Sequence, residues 1–389
     1  MLQTGNRVLV IDDSPIYRRI FEQATKTLPE VGNVVLATGG QDALKLITKD
    51  DFELVVCDMV MPVMDGITVT REILKIKPKQ AIVVVSGVST REASTTMEAL
   101  SAGAMDFIAK PKNGSMQENL SSIADSIKGY LLANPRSATR PSSGTQSSGT
   151  GNLSRSAKST ESSRKSAPIT ADRTSIRSQA KMGQFNADLV LIGVSTGGPN
   201  SLQKLLPLLP KDFGAPIIIV QHMPEGFTQA LARQLDNACS LIVKEAEEGE
   251  IAEKGNIYIS KGGKHLVISE KKDFGKFSLK YTDGPPVNSC RPAVDVLYSS
   301  VAKLRDIKVV STILTGMGSD GANGVKEILA SRSIRAYSIT QDAESCVVYG
   351  MPRAVDEAGL SDESLPLNNI HQRLGQLVRN SHYGARTVA

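Results

Sequence analysis

The stretch RVLVIDDSPIYRRIFEQATKTL, residues 7–28, opens with a short aliphatic run, stops at Asp12 and Asp13, and passes through Pro15 into a segment whose apolar residues recur at helical spacing. That order reads as a strand followed by an amphipathic helix. The pair repeats outward from it. NVVLA (33–37), ELVVCD (53–58), AIVVVSG (81–87) and MDFIAK (105–110) are further β-branched runs, and GQDALKLITK (40–49) and REILKIK (71–77) are further amphipathic stretches. Alternating strands and helices predict a doubly wound parallel sheet.

Length and composition extend this frame. A chain of 389 residues favours two domains, or three at most. Apolar residues make up 40%, charged residues 22% and aromatics 4%, with no Trp, which excludes wholesale disorder and a collagen-like fibre and points to aliphatic cores. No window approaches the ~18 consecutive apolar residues of a membrane span, and MLQTGNRVLVIDDSP lacks the order of a secretory signal. A cytoplasmic protein with no membrane insertion is expected. The four cysteines, Cys57, Cys239, Cys290 and Cys346, stand far apart, without the spacing of a disulfide framework or zinc site.

The net charge of +5 is local: residues 131–185 hold nine Lys/Arg against Glu161 and Asp172, a net of +7, which leaves −2 for the rest. This stretch is rich in Ser, Thr, Arg and Gly and has no apolar period, so it reads as a flexible linker. A basic arm for DNA is the rival reading; no helix-turn-helix or aromatic-interleaved basic face supports it, and no nucleic-acid partner is expected. Beyond the linker, the strand-like runs DLVLIGVS (188–195), APIIIVQH (215–222), NIYIS (256–260), HLVISE (265–270), FSLKYT (277–282), KVVSTILTG (308–316) and IRAYSIT (334–340) are interleaved with helical stretches, with a β-rich insert expected near 250–282. The expected units are a first domain over 1–128, a linker over 129–185 and a second α/β domain, doubly wound and mostly parallel, over 186–380.

In open α/β sheets chemistry collects at the carboxyl ends of strands. In the first domain those ends carry Asp12, Asp13, Asp58, Ser86 and Lys110. Clustered carboxylates call for a cation, and a hard divalent ion such as Mg²⁺ suits them. One carboxylate could then act as a nucleophile, its phosphorylated form neutralised by the metal, Lys110 and the Ser86 hydroxyl. Taken singly, Asp12 and Asp13 could merely cap the helix at Pro15, and Lys110 could be a surface charge. With DD at 12–13, D-x-x-M-P-x-x-D-G at 58–66 and K-P at 110–111, the region resembles the response-regulator receiver domain, with a flavodoxin-like (βα)5 fold. The resemblance implies Asp58 as phosphoacceptor, Asp13, Asp58 and the Val60 carbonyl as metal ligands, Asp12 acting partly through water, and Ser86 and Phe107 as a switch pair. Val60 departs from the acidic residue often found there.

In the second domain, Gly193-Val194-Ser195-Thr196-Gly197 sits at a strand-to-helix turn and matches G-x-S-x-G, a short and weak string. His222 ends the adjacent-looking strand, where it could be a core histidine or a general base for Ser195. Gly316–Gly321 matches G-x-G-x-x-G, with Asp342 in a plausible ribose position, but Asp320 would put negative charge where a pyrophosphate should lie. Alternatively Asp320 orients His222, giving a Ser, His, Asp order unlike that of α/β-hydrolases; a hydrolase using His371 or His382 is a further option. GVSTGGP (193–199), QHMPEGFT (221–228), NSCRPAVDVLY (288–298), ILTGMGSDGANG (313–324) and QDAESCVVYGMPRAV (341–355) together resemble the catalytic domain of the chemotaxis protein-glutamate methylesterase (CheB) family, in the family's domain order.

That resemblance implies Ser195 as nucleophile, His222 as base, Asp320 as its partner and the Met317 N–H as oxyanion donor, with Ser319 and the long linker as departures. It further implies phosphorylation-controlled hydrolysis of glutamyl methyl esters on the cytoplasmic helices of chemoreceptors, deamidation of receptor glutamines, a histidine kinase as phosphodonor, and no cofactor for the esterase step.

Overall fold

The computed structural model describes residues 5–111, 115–133, 185–270 and 276–378. In the first unit β1 (Asn6–Ile11), β2 (Val31–Ala37), β3 (Leu54–Asp58), β4 (Ile82–Ser86) and β5 (Asp106–Ala109) pair in parallel in the order β2-β1-β3-β4-β5. This is the flavodoxin-like order. LVVCD and IVVVS are buried at every position, as parallel strands covered on two faces must be. The covering helices are α1 (Pro15–Lys26), α2 (Gly40–Lys49), α3 (Gly66–Ile76), α4 (Thr90–Ser101) and α5 (Met116–Ala133). Local chemistry sets their starts: Pro15 opens α1, Asp65 accepts from the Thr68 N–H, and Ser89 and Glu92 form a reciprocal capping box on α4.

The boundary expected at 128 falls inside α5. Ile127, Tyr130 and Leu131 are buried in the same apolar cluster as Val8, Val10 and Val56, so the helix, which runs to Ala133, packs on its own sheet as far as Leu131. The expected linker lies largely outside the described residues. Phe185 is buried and packs edge-on to Tyr337 with ring centroids 6.0 Å apart.

The second unit contains β6 (Leu189–Val194), α6 (Gly198–Leu205), β7 (Ile217–Gln221), α7 (Phe227–Asp236), β8 (Ile242–Glu245), β9 (Ile251–Ala252), β10 (Asn256–Ile259), β11 (His265–Glu270), β12 (Phe277–Thr282), α8 (Val294–Val301), β13 (Ile307–Ile313), α9 (Ala322–Ala330), β14 (Ile334–Gln341), α10 (Met351–Glu357), β15 (Glu363–Leu365) and α11 (Leu367–Leu377). Seven strands form a parallel sheet, β15-β14-β13-β6-β7-β10-β8, and β11, β12 and β9 form the antiparallel insert; β10, within the range expected for the insert, instead pairs with β7 and β8 in the main sheet. From β6 the chain winds first towards β7 and later returns on the other side at β13. The reversal leaves a crevice at the carboxyl ends of β6, β7 and β13, where ligands of such sheets bind.

The two units share an apolar cluster that runs from Met97, Leu100 and Ala104 to Leu202, Phe227 and Leu231. Helix α4 packs on α6 and α7, and β5 approaches α6.

Candidate active site and the domain that covers it

Ser195, His222 and Asp320 follow β6, β7 and β13, the three strands around the reversal. The register places Val194 beside Gln221 and Gly193 beside Ile313, which brings the three loops to one edge. Gly197 caps α6 with φ 75°, and a Cβ there would lie 2.5 Å from Val347; only glycine permits both the left-handed turn and the close approach. Gly316 abuts Ser195, since a Cβ on it would lie 2.8 Å from Ser195 Cβ. Met317 follows directly, so its N–H belongs to the backbone bordering Ser195.

His222 Nε2 lies 2.7 Å from Asp320 Oδ2. The carboxylate is held from four directions: Oδ2 also accepts from the Val294 N–H at 2.6 Å, while Oδ1 accepts from Asn288 Nδ2 at 2.8 Å and the Asp295 N–H at 3.1 Å. Burial acts to raise the Asp320 pKa, but the His222, Val294 and Asn288 hydrogen bonds bring it below the usual carboxylate range. For His222, burial acts to lower the pKa, and the Asp320 hydrogen bond with that of Cys290 more than offsets it, pushing the ring up to about 9. The imidazole is therefore positioned by an ionised carboxylate, as a triad requires.

The other ring nitrogen, Nδ1, meets Cys290 Sγ at 3.4 Å, and among the described residues it makes no hydrogen bond to the Ser195 hydroxyl. Asp342 closes its own turn through the Ser345 N–H and hydroxyl, and Asp320 turns towards His222 rather than leaving the Gly316–Gly321 run open, so the dinucleotide reading finds no support. His371 sits on α11 and makes no hydrogen bond to Ser195 or Asp320 among the described residues; His382 lies outside them.

At the edge of the first sheet Asp12 and Asp58 are buried and Asp13 is exposed, with one oxygen of each within 4.8 Å of the others. Lys110 Nζ lies 2.7 Å from Asp58 Oδ1 and 3.9 Å from Asp12 Oδ2. Burial, then the nearby Asp58, pushes the Asp12 carboxyl up to about 6, and burial raises Asp58 against the pull of Lys110. One ammonium does not balance three carboxylates, so the donor set fits a divalent cation. The Val60 side chain is 64% exposed on the rim beside this cluster. Ser86 donates to the Gly87 carbonyl at 3.1 Å and accepts from Thr96 Oγ1 at 2.7 Å.

Phe107 faces away from this pocket towards the second unit. Its ring stacks on Phe227 with centroids 4.6 Å apart and planes 15° from parallel, an arrangement worth about 0.5–1.5 kcal/mol beyond the area it buries. Next to it, buried Asp106 accepts the Gly197 N–H at 2.8 Å, two residues from Ser195. Asn200 Nδ2 donates to the Ala104 and Met105 carbonyls, and Gln234 Nε2 to the Met97 carbonyl and the Ser101 hydroxyl. A Cβ on Gly129 of α5 would lie 2.9 Å from Met317 Sδ. The first unit thus covers the loop beside the serine.

Residues 8–121 match the response regulator receiver domain and residues 190–374 match the CheB methylesterase family. A protein-glutamate methylesterase/protein-glutamine glutaminase of Desulfotalea psychrophila is 38% identical across 96% of this chain and 98% of its own. One from Vibrio cholerae is 36% identical across 95% of this chain and 97% of its own. The crystal structure of the Thermotoga maritima CheB methylesterase catalytic domain is 42% identical, covers 50% of this chain and all of that one, and gives a TM-score of 0.47. The chain belongs to the CheB methylesterase family, with a receiver domain ahead of the methylesterase domain.

Proposed function

We propose that this protein hydrolyses glutamyl methyl esters on the cytoplasmic helices of chemoreceptors, releasing methanol, and deamidates receptor glutamines by the same acyl transfer. The observation that carries the reading is the His222–Asp320 pair set at the sheet reversal beside the Ser195 turn. Ser195 Oγ attacks the ester carbonyl while His222 Nδ1 takes its proton. The tetrahedral oxyanion is met by the Met317 N–H, and collapse expels methoxide, which takes the proton from His222 and leaves as methanol. Water, deprotonated by His222, then cleaves the acyl-serine to the glutamate carboxylate and regenerates the hydroxyl. A glutamine amide follows the same path and releases ammonia. Apart from substrate and water, these steps use only groups of the chain.

In the receiver, extending through α5, Asp58 takes a phosphoryl group from a histidine kinase. Asp12, Asp13, Asp58 and the Val60 carbonyl would hold Mg²⁺, which when bound neutralises charge on the carboxylates and phosphoryl oxygens. Lys110 supplies the remaining positive charge. Ser86, Lys110 and Phe107 form the switch, and the Phe107–Phe227 stack ties that switch to the helix that starts five residues after His222. Unphosphorylated receiver occupies the Gly197 N–H and covers the serine loop; phosphorylation favours the undocked arrangement. Among the described residues no helix is long and apolar enough to cross a membrane, in keeping with work at the cytoplasmic face. No nucleic-acid partner enters this reading.

Methanol release from methylated chemoreceptor membranes tests the chemistry. Ser195→Ala and His222→Ala should abolish release and His371→Ala should spare it. Release that survives Ser195→Ala would overturn the assignment.

A further inference from the structure

The reaction asks two things of His222. One nitrogen must be fixed by a carboxylate, and the other must be open to the serine hydroxyl. Nε2 satisfies the first at 2.7 Å from Asp320. Nδ1 is then the only nitrogen left for Ser195, and in the structure it is taken: Cys290 Sγ stands 3.4 Å away. With the ring neutral and Nε2–H donating to Asp320, the thiol donates to Nδ1; with the ring protonated, Nδ1–H donates to sulfur. In either form Cys290 occupies the position that Ser195 needs.

The thiol is held there by its own loop. Val287 and Cys290 exchange backbone hydrogen bonds at 3.0 and 2.9 Å, Asn288 and Ser289 adopt left-handed φ of 51° and 62°, and the Asn288 amide is anchored on Asp320 and Asp295. The loop that orients the carboxylate end of the imidazole therefore also presents a thiol to its free end. We propose that Cys290 masks the catalytic base: its thiol occupies His222 Nδ1 in the resting protein and must yield that nitrogen before Ser195 is activated.

This rests on the triad reading above. A thiol is a weak hydrogen-bond partner, so it restrains the base without locking it, and a hydroxyl that reaches Nδ1 displaces it. Asp320 fixes the tautomer by itself, so removing the thiol costs the ring little orientation while freeing its nitrogen. The titratable groups facing the imidazole are Asp320 and Cys290, with Asp295 behind Asp320.

The test uses the full chain, unphosphorylated, with methanol release followed from pH 6 to 10. Cys290→Ala should raise kcat at neutral pH roughly three- to tenfold, the worth of one weak hydrogen bond, leave KM unchanged, and move the acid limb of kcat/KM to lower pH. Cys290→Ser, which keeps a hydrogen-bonding group at that place and guards against a folding defect in the alanine variant, should not show the rise. If Cys290→Ala lowers kcat, or leaves kcat and the acid limb unchanged, the proposal is overturned. If activity instead survives Ser195→Ala, the triad reading itself fails, and the two failures are told apart.

Discussion

The protein places carboxylates at the carboxyl edge of two parallel sheets and gives them opposite properties. In the receiver, Asp12 and Asp58 are buried beside one another with a single ammonium, Lys110, between them, and their carboxyls are raised. In the catalytic domain, Asp320 is equally buried yet lowered, because four donors converge on it. Topology alone therefore does not decide what a strand-end carboxylate does. A crowded, under-compensated cluster favours a cation and a transferable phosphoryl group; a saturated carboxylate is fixed in charge and place and serves to orient a base.

The largest effect that could break this contrast lies at the saturated end. Asp320→Asn should reduce methanol release by about 10⁴-fold, because the amide cannot hold the ring as the ionised carboxylate does, whereas Asp12→Asn should leave the unphosphorylated rate within a fewfold of wild type. The next is the loss of switching. Asp58→Asn, or chelation of divalent cations, should abolish stimulation by a small phosphodonor while leaving the unphosphorylated esterase rate in place. Asn288→Ala sharpens the account of Asp320 by removing one charge-assisted donor of four, and should lower kcat about tenfold with unchanged phosphodonor stimulation.

The smallest effect concerns the boundary between the two regions. Burial, against its hydrogen bonds from Gly197 and Phe107, pushes the Asp106 carboxyl up to about 6. A carboxyl raised in the docked form holds its proton more tightly there than when undocked. Docking is therefore strengthened as pH falls through about 6 and is weakest above it. Asp106→Asn keeps an acceptor for Gly197 and carries no charge, so it should lower the unphosphorylated rate several-fold at pH 7.5 and remove the contribution of this group to the pH dependence of docking.

Both sheets were legible in the sequence wherever a strand is buried on two faces: LVVCD, IVVVS, LVLIGV and IIIVQ announce themselves by unbroken aliphatic runs. The edge strands β8 and β15 did not. Ile242 at the start of β8 is 59% exposed, and ESL of β15 is only three residues long, so neither carries a periodicity. The site residues that end strands were visible for the same topological reason. Cys290 and Asn288 were not, because they act from a loop whose left-handed backbone and contact to Asp320 exist only in the folded chain, nor was Asp295, whose N–H reaches Asp320 from the first turn of α8. Asp106 and Phe227 were invisible as functional residues because their roles arise where one domain meets the other. The one available signal was that Asp106 precedes Phe107 and that Phe227 lies within the QHMPEGFT string.

On the proposed reading, one receiver aspartate governs a serine esterase on the other domain. It is tested most directly by methanol release from methylated chemoreceptor membranes, with the intact protein and Asp58→Asn each measured with and without a small phosphodonor plus Mg²⁺, and Ser195→Ala as the blank. The account predicts Ser195-dependent release that rises with the phosphodonor in the intact protein and stays flat in Asp58→Asn. Equal stimulation of the two, or none in either, would contradict it.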